Sequence, residues 1–471
     1  MGCNEEDACD NYLLLKPKDA SVGELIRLLY SSKLEERSFI ECSDREGQKP
    51  RDFRRRWLIF VSVIVQKLFI YVRQPMAQLG HVLVLWLNHV STNGGLLNLL
   101  LKRIRGEEVR ETDPSTYASV VGNLDTRTEL DEKIKADDNN YKASLSIMAA
   151  KLSYENQSFI HNVVLNHWKM QFLGFYNFWN GYLENPSTKA FMFQDTLTDP
   201  KLIVVAFRGT DPFDADAWRT DFDVSWYQLV NVGKMHGGFV KALGLQNNNT
   251  WPSEIEQAGG DQKQFAYYEI KKMLKDILQK NENAKFIVTG HSLGGALAIL
   301  FMAGLAIHEE VWLMDKLEGV YTFGQPRVGD QQFGEFMKEK LHRFNVRYTR
   351  YVYCNDMVPR VPFDDKTLLF KHFGPCLYYN SFYQGKVVLE EPNKNYFSLL
   401  WIIPKYLNAL WELIRSFITP LVKGSDYEET WFMRLFRVVG LVIPGLPAHF
   451  TQDYVNVTRL GSIHQGDSKV D

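Results

Sequence analysis

The sequence predicts an α/β fold in which a mostly parallel central sheet is covered by helices on both faces. Two observations lead to this fold class. From about residue 140, short apolar runs alternate with helix-like segments, and one strand-to-helix junction carries Gly-x-Ser-x-Gly. Apolar runs of this length are typical of strands buried on both faces, and their alternation with helices is typical of parallel sheets. With 471 residues, 45% apolar and 23% charged, the chain can bury a large core.

Each element of this core follows from a local pattern. The predicted strands are short, apolar and rich in β-branched or aromatic residues, and they cover 201–207, 285–289, 319–323 and 348–353. A helix is predicted over 265–280 because apolar residues recur there at i, i+3, i+4, i+7 and i+8. A second helix is predicted over 295–308, which is rich in Ala and Leu.

The chain before the core divides into two regions. Residues 1–50 are mixed and polar, with one short helix predicted near 22–30, whereas 51–105 is an apolar block bracketed by arginines and lysines. One apolar segment lies on each side of Pro75. Each is shorter than the uninterrupted apolar stretch of about 20 residues that a membrane-spanning helix needs. We expect a hairpin-like segment that enters a lipid surface and returns, or an anchor that lies in the lipid interface, with a pair of buried core helices as the alternative.

The remaining chain, 106–471, is expected to form one domain that carries a helical insertion at about 364–444. Apolar and aromatic segments in this insertion are interleaved with charges, which predicts amphipathic helices. Amphipathic helices either lie at a lipid interface or pack inside a protein. The spacing of apolar and charged residues in this insertion is compatible with both and favours neither.

Charge and cysteine content exclude several classes of function. A formal net charge of −2 gives no attraction to nucleic acid. The five cysteines are scattered, so we predict neither a disulfide framework nor a zinc site, and no other metal or cofactor is predicted. No secretory signal is visible, and we therefore expect the protein to face the cytosol.

The Gly-x-Ser-x-Gly motif at Gly290–Gly294 is the candidate catalytic centre. An apolar strand precedes it and an Ala-rich helix follows it, so Ser292 is expected on a sharp turn that exposes its hydroxyl. The alternative is an ordinary glycine-rich turn. A serine hydroxyl becomes a useful nucleophile only when a base removes its proton and a third group orients that base.

For the orienting acid, Asp356 is the first candidate because it follows a predicted strand at the sheet edge where catalytic groups gather. Asp330 is the second, although its glycine-rich surroundings favour a turn role. The downstream histidines offered as bases are His308, His342, His372, His449 and His464. We favour His449, which stands on a loop after the insertion, over His372. His291, beside the serine, is expected to pack beneath the turn.

The reaction also needs donors for the negative oxygen that develops on the substrate. The backbone N–H of Leu293, directly after the serine, is the first. Thr210 is the second, because it follows a buried strand and Gly209 allows close approach. A generic turn at this position is the alternative.

Together these motifs resemble those of the class 3 lipases, which are α/β-hydrolases of the fungal triacylglycerol lipase type. The resemblance rests on Phe207-Arg208-Gly209-Thr210, His236-Gly237-Gly238-Phe239, the motif around Ser292, and Asn355-Asp356. It implies a triad of Ser292, Asp356 and His449, an oxyanion pair of Thr210 and Leu293, and a structural role for His236. It also implies a lid over about 211–226, with Phe213 and Trp218 covering the site.

The apolar block, the insertion and the segment after Ala448 look like those of plant oil-body lipases. This resemblance implies a carboxylic ester hydrolase that acts on acylglycerols at the cytosolic surface of lipid droplets, or on the endoplasmic reticulum membrane. The alternatives are a phospholipase A1 or galactolipase, and a droplet scaffold with an inactive hydrolase fold.

Overall fold

The computed structural model describes residues 9–31, 37–43, 53–108, 110, 113–246, 250–254, 263–362, 370–396, 398–424 and 427–463. His464, one of the candidate bases, lies outside these residues. The strands are β1 (Cys9–Leu15), β2 (Ile40–Cys42), β3 (Gln171–Asn180), β4 (Asn185–Asp195), β5 (Leu202–Phe207), β6 (Trp226–Leu229), β7 (Gly233–His236), β8 (Lys285–His291), β9 (Leu317–Phe323), β10 (Arg347–Tyr353), β11 (Cys376–Tyr379), β12 (Gln384–Val388) and β13 (Ser462–Ile463).

The α-helices follow the same chain order. They are α1 (Val22–Tyr30), α2 (Phe53–Thr92), α3 (Leu96–Arg105), α4 (Val120–Leu124), α5 (Tyr141–Leu152), α6 (Gln157–Asn162), α7 (Ala215–Asp221), α8 (Gly237–Leu243), α9 (Ala266–Lys280), α10 (Leu293–Ile307), α11 (Val311–Lys316), α12 (Gln331–Arg343), α13 (Ile402–Lys423), α14 (Trp431–Val439) and α15 (Thr451–Leu460).

The central sheet has nine strands in the order β13-β12-β11-β10-β9-β8-β5-β4-β3. Strands β5, β8, β9, β10 and β11 are parallel, and the antiparallel pairs lie toward the two edges. Side chains alternate along the strands: Val205 and Val288 pack against α9 and α10, while Val204 and Ile287 pack against α5 and α15. The sheet is therefore covered on both faces, which confirms the predicted α/β fold.

The N-terminal region folds onto this core. Strands β1 and β2 join β6 and β7 in a four-stranded antiparallel sheet. Helix α1 matches the predicted short helix, begins with a capping box between Ser21 and Glu24, and buries Leu25 and Leu28. Of the 1–50 region, residues 1–8, 32–36 and 44–50 lie outside the described part of the chain.

The apolar block forms one long helix rather than the hairpin expected around Pro75. Helix α2 runs through Pro75 for 40 residues, and the chain leaves it only at Gly94 and Gly95, which have positive φ. The proline removes the hydrogen bond to the carbonyl of Tyr71, and this residue is 76% exposed, so water can take the place of the lost donor. The predicted turn at Pro75 is wrong because a long helix tolerates a proline where the freed carbonyl is solvated.

Helix α2 buries polar side chains together with the apolar Ile59, Val63 and Leu87, and it carries many apolar side chains on its outer side. Ser62 donates to the carbonyl oxygen of Phe222, Gln66 accepts from the Tyr182 hydroxyl, and Asn88 bonds the backbone of Ala118. The exposed side chains of the same helix include Trp57, Val61, Ile64, Leu68, Tyr71, Leu79, Val82, Leu85 and Trp86. Among the described residues, α2 alone is long and apolar enough to cross a membrane, by length and composition only.

The predicted insertion at about 364–444 contains two strands before its helices. Strands β11 and β12 extend the central sheet, and the helices begin at Leu399. Helices α13 and α14 are held by a buried ion cluster. The guanidinium of Arg437 contacts Glu412, Glu429 and Asp453 at 3.2, 3.1 and 2.8 Å, and Arg415 contacts Asp453 at 2.9 Å.

Candidate active site

Ser292 stands at the turn between β8 and α10 with a φ of +58°, in the left-handed region. The turn is so tight that its flanking glycines have no room for a side chain. A Cβ on Gly290 would lie 2.2 Å from the backbone of Gly294, and a Cβ on Gly294 would lie 2.3 Å from the carbonyl oxygen of Phe207. Any other residue at either position would push β8, α10 or β5 apart.

Three side chains from distant parts of the chain form a hydrogen-bonded series at this turn. The Nε2 atom of His449 lies 2.8 Å from Ser292 Oγ, and its Nδ1 lies 2.9 Å from both carboxylate oxygens of Asp356. Asp356 follows β10, and His449 ends a short 3-10 turn, Pro447–His449, before α15. With Nδ1–H donating to Asp356, Nε2 is left as the acceptor for the serine proton.

Further hydrogen bonds fix the acid. The hydroxyl of Tyr454 donates to Asp356 Oδ2 at 2.5 Å, and the backbone N–H of Val358 donates to Asp356 Oδ1 at 2.9 Å. These bonds hold the orientation of the carboxylate toward His449.

His291 supports the base from behind, as expected for a residue that packs beneath the turn. Its Nε2 lies 2.6 Å from the carbonyl oxygen of His449 and its Nδ1 lies 2.8 Å from the Tyr154 hydroxyl. Burial holds the pKa of His291 well below its usual value, and the proximity of His449 adds to this effect. The neutral ring therefore donates from Nε2 to His449 and accepts from Tyr154.

The two candidate oxyanion donors lie at the same edge of the sheet. Parallel pairing sets Phe207 of β5 opposite Gly290 of β8, so Thr210 and Leu293 both follow strand ends that are in register. The N–H of Leu293 opens α10, where backbone donors have no partner within the helix. The hydroxyl of Thr210 donates to Asp221 Oδ2 at 2.8 Å.

The Oδ1 atom of Asp221 is buried and has no hydrogen-bond partner among the described residues. Burial raises the pKa of Asp221 from 3.8 to about 7, against the opposing effects of the Thr210 hydrogen bond and of His449. Between these two values the native protein binds a proton that the unfolded chain has released. Stability must therefore fall as the pH rises through this window.

We expect Asp221→Asn to remove this dependence, because an amide does not ionise and its Oδ1 still accepts from Thr210. The stability of the variant relative to wild type should grow from about pH 4 to pH 7, by up to roughly 4 kcal/mol at about 1.4 kcal/mol per pKa unit. Urea denaturation of both proteins at each pH measures the difference in stability between variant and wild type. Other groups that titrate in both proteins, such as Asp223, cancel in this difference. If stability depended on pH in the same way in the variant and in wild type, Asp221 would not titrate in this pH range.

The catalytic side chains are closed to bulk solvent. Helix α7 and its flanking residues lie next to the site. Ser292 is 3% exposed and His449 is 7% exposed. The 211–226 segment packs on α2: a Cβ at Gly80 would lie 2.5 Å from Phe213 Cβ, and Arg73 lies 3.6 Å from Asp216. Phe213 also joins an apolar cluster with Phe450, the residue after His449.

The other candidate residues lie elsewhere. The Nε2 of His372 lies 2.7 Å from the carbonyl oxygen of Pro359. Asp330 caps α12 and accepts from the N–H of Phe333 at 2.9 Å. His308 lies between Tyr267 and Trp251, and His342 is in the last turn of α12. His236 caps α8 and contacts the carbonyl oxygen of Asp223 at 2.6 Å.

The sequence reasoning missed Asp221, Tyr454 and Tyr154. Nothing in their local sequence marks these three residues as partners of the site. Asp221 lies within the predicted lid, and Tyr454 lies five residues after His449. Only the folded arrangement brings them to Thr210, Asp356 and His291.

Comparison with known proteins places this geometry in context. The family model described as Lipase (class 3) matches residues 204–366. The triacylglycerol lipase OBL1 of Nicotiana tabacum is 44% identical, with 89% of this chain and 85% of that protein covered. Proteins of the same name from Arabidopsis thaliana and Ricinus communis are 42% and 38% identical, and in both cases 96% of this chain and 95% of the relative are covered.

Proposed function

Because this chain belongs to the class 3 lipase family, as its motifs led us to expect, we propose that it is a serine lipase for triacylglycerols at a lipid surface. Diacylglycerols and monoacylglycerols are further substrates of the proposed site. The single observation that carries the proposal is the hydrogen-bonded series Ser292–His449–Asp356. It supplies a nucleophile, a base and an orienting acid in one closed site.

In the proposed mechanism, Ser292 Oγ attacks the ester carbonyl carbon while His449 Nε2 takes its proton. The tetrahedral intermediate collapses by breaking the bond to the glycerol oxygen, which receives the proton from His449. Water then attacks the acyl-enzyme with His449 again as base, and the fatty acid leaves as Ser292 regains its proton. Asp356 holds the imidazole in the required tautomer and stabilises its positive charge.

The N–H groups of Leu293 and Thr210 are the proposed donors to the oxyanion. The Thr210 hydroxyl donates its single proton to Asp221, and this bond holds the Thr210 residue in place before substrate arrives. Donors that are already oriented stabilise the intermediate most, since little reorganisation is needed during the reaction.

The segment at 211–226 is the proposed lid, with Phe213 and Trp218 as its covering side chains. The burial of Ser292 supports a closed state in water. We propose that the segment moves aside at a lipid surface and admits the acyl chains.

The proposed location is the cytosolic surface of lipid droplets, with the endoplasmic reticulum membrane as the other lipid surface of the same kind. Residues 51–105 are the proposed lipid-associated region between the N-terminal region 1–50 and the lipase domain 106–471. The outward apolar side chains of α2 and the basic end of α3, with Lys102, Arg103 and Arg105, support this role. Basic residues beside an apolar face favour binding to anionic headgroups.

The test combines substrate profiling with active-site labelling. The full chain should release fatty acid from emulsified triolein faster than from phosphatidylcholine vesicles. An alkyl p-nitrophenyl phosphonate should label it once, with Ser292 Oγ displacing p-nitrophenolate from phosphorus, and mass spectrometry should find the adduct on the Ser292 peptide. A preference for the vesicles would favour a phospholipase, and absence of both hydrolysis and labelling would favour an inactive scaffold.

A further inference from the structure

We infer that the insertion carries a second lipid-docking surface, distinct from α2, which seats the mouth of the active site on the phospholipid-covered surface that supplies the substrate. This inference rests on the proposed lipase function. The surface consists of the outward side chains of α13 and α14, represented by Leu407, Leu410, Ile414, Phe417, Trp431 and Leu435. We call it the insertion face.

The polarity of these two helices is the reverse of that in a water-soluble helical hairpin. Positions 407, 410, 414 and 417 recur at helical spacing and point outward, with Leu407 62% exposed. The opposite side of α13 buries Lys405, Glu412 and Arg415. In α14, Trp431 is 78% exposed, while Arg437 is buried.

The buried ion cluster fixes this orientation. Arg437 contacts Glu412 on α13, Glu429 just before α14, and Asp453 on α15, so both helices are tied to the segment that follows His449. Arg415 adds a hydrogen bond to the Tyr353 hydroxyl at 2.8 Å. Turning either helix to bury its apolar side would separate these charges, so the apolar side remains outside.

The charge of the face matches a phospholipid surface. The one carboxylate within α13 and α14, Glu412, is buried, whereas Lys423 and Arg434 remain at or near the surface. The guanidinium of Arg434 lies 5.0 Å from the ring centroid of Phe417 and 5.9 Å from that of Trp431. A cation between aromatic rings at the edge of an apolar stripe is suited to phosphate headgroups above an apolar phase.

An apolar cluster links α14 to the residue after His449, to the proposed lid and to α2. The ring of Phe436 on α14 packs against Phe450, next to His449, with centroids 5.0 Å apart. Phe432 and Phe436 share one apolar cluster with Val84 of α2 and Phe213 of the proposed lid. Helices on both sides of the site, α2 and α14, thus carry exposed apolar side chains. An apolar surface on both sides of the site favours a lipid surface over a protein as the partner that binds the insertion face.

The test asks which positions enter the lipid. The full chain, with Cys3, Cys9 and Cys42 replaced by serine, receives Leu407→Cys and an environment-sensitive nitrobenzoxadiazole label. The matched control carries Leu197→Cys, which is similarly exposed but belongs to the loop between β4 and β5. Both are mixed with triolein droplets coated with phosphatidylcholine and phosphatidylserine. We expect the label at 407 to shift to shorter wavelength and become shielded from aqueous iodide, and the label at 197 to remain accessible.

A second variant measures the contribution to binding. Leu407→Glu, Ile414→Glu and Leu421→Glu together should weaken droplet binding about tenfold or more, since each places a charge in the apolar phase. The control combines Leu165→Glu, Leu197→Glu and Val311→Glu, which change the net charge equally on elements outside the insertion, and it should bind as wild type does. Thermal midpoints establish that both triple variants are folded.

A label at 407 that stays as accessible as the label at 197, or a Leu407/Ile414/Leu421 variant that binds as wild type does, would overturn the inference. Triolein hydrolysis by the unlabelled wild type reports separately on the lipase proposal. A chain whose insertion face enters the lipid without any hydrolysis would refute that proposal and leave the docking surface standing.

Discussion

Ser292→Ala should lower kcat on triolein by about 10⁴-fold or more, because it removes Oγ, the proposed nucleophile on which the acyl-enzyme forms. Methyl replaces hydroxyl in a site where Ser292 is almost fully buried, so the fold and droplet binding should be retained. Initial rates of fatty acid release under saturating substrate measure the effect. A residual rate near that of wild type would place the nucleophile elsewhere.

His449→Ala should lower kcat to a similar extent, since Ser292 then lacks the base that accepts its proton at 2.8 Å. The matched control is His372→Ala, which removes a buried histidine bonded to the carbonyl oxygen of Pro359. This control should retain kcat within about threefold, whatever its effect on stability. Full activity in His449→Ala together with loss in His372→Ala would reverse our assignment of the base.

Arg437→Ala should destabilise the folded protein by about 3–5 kcal/mol, the cost of leaving buried charges without their partner. The guanidinium contacts three carboxylates, those of Glu412, Glu429 and Asp453, and no other cation reaches Glu429 among the ion pairs of the described residues. Urea denaturation followed by tryptophan fluorescence measures the shift. The first transition is the relevant one if the insertion unfolds before the sheet.

The control for this prediction lies one turn away on the same helix. Arg434 donates to the carbonyl oxygen of Ser416 and contacts two aromatic rings, but it forms part of the partly exposed side of α14. Arg434→Ala should cost about 1 kcal/mol. Equal effects of the two substitutions would mean that the buried cluster adds nothing beyond the packing of an arginine stem.

The central sheet and the serine turn could be predicted because their signals are local. The apolar run of β8, the glycines at 290 and 294, and the helical periodicity of α9 are each contained within about fifteen residues. The order of the catalytic candidates also helped. The position of His449 on a loop after the insertion predicts it as the base, and the structure brings it to Ser292 across 157 residues of chain.

Other features depend on partners that are distant in sequence. Strand β1 begins with Cys9-Asp10-Asn11, which does not look like a strand, and it becomes one by pairing with β6 more than 200 residues away. Strands β11 and β12 have only four and five residues, so their local sequence does not predict them. Pairing, rather than propensity, decides the fate of segments this short.

The orientation of the amphipathic helices also depends on residues that are distant in sequence. Periodicity identifies an apolar and a polar side on α13, but it does not say which side faces the protein. That choice depends on Glu429 and Asp453, which receive Arg437 in the interior. The same sequence pattern fits a core helix and a lipid-facing helix. The ion pairs that the charged residues form in the folded protein determine which of the two it is.

The apolar side chains that α2, α13 and α14 turn outward also govern how the protein behaves in a test tube. Contiguous apolar patches beyond a few hundred Å² are uncommon on water-soluble monomers and promote self-association. In plain buffer, molecules with these three exposed helices will cluster through them, and turbidity will increase with concentration. A mild detergent above its micelle concentration covers the same side chains, so purification, storage and crystallisation are best carried out in its presence from cell lysis onward.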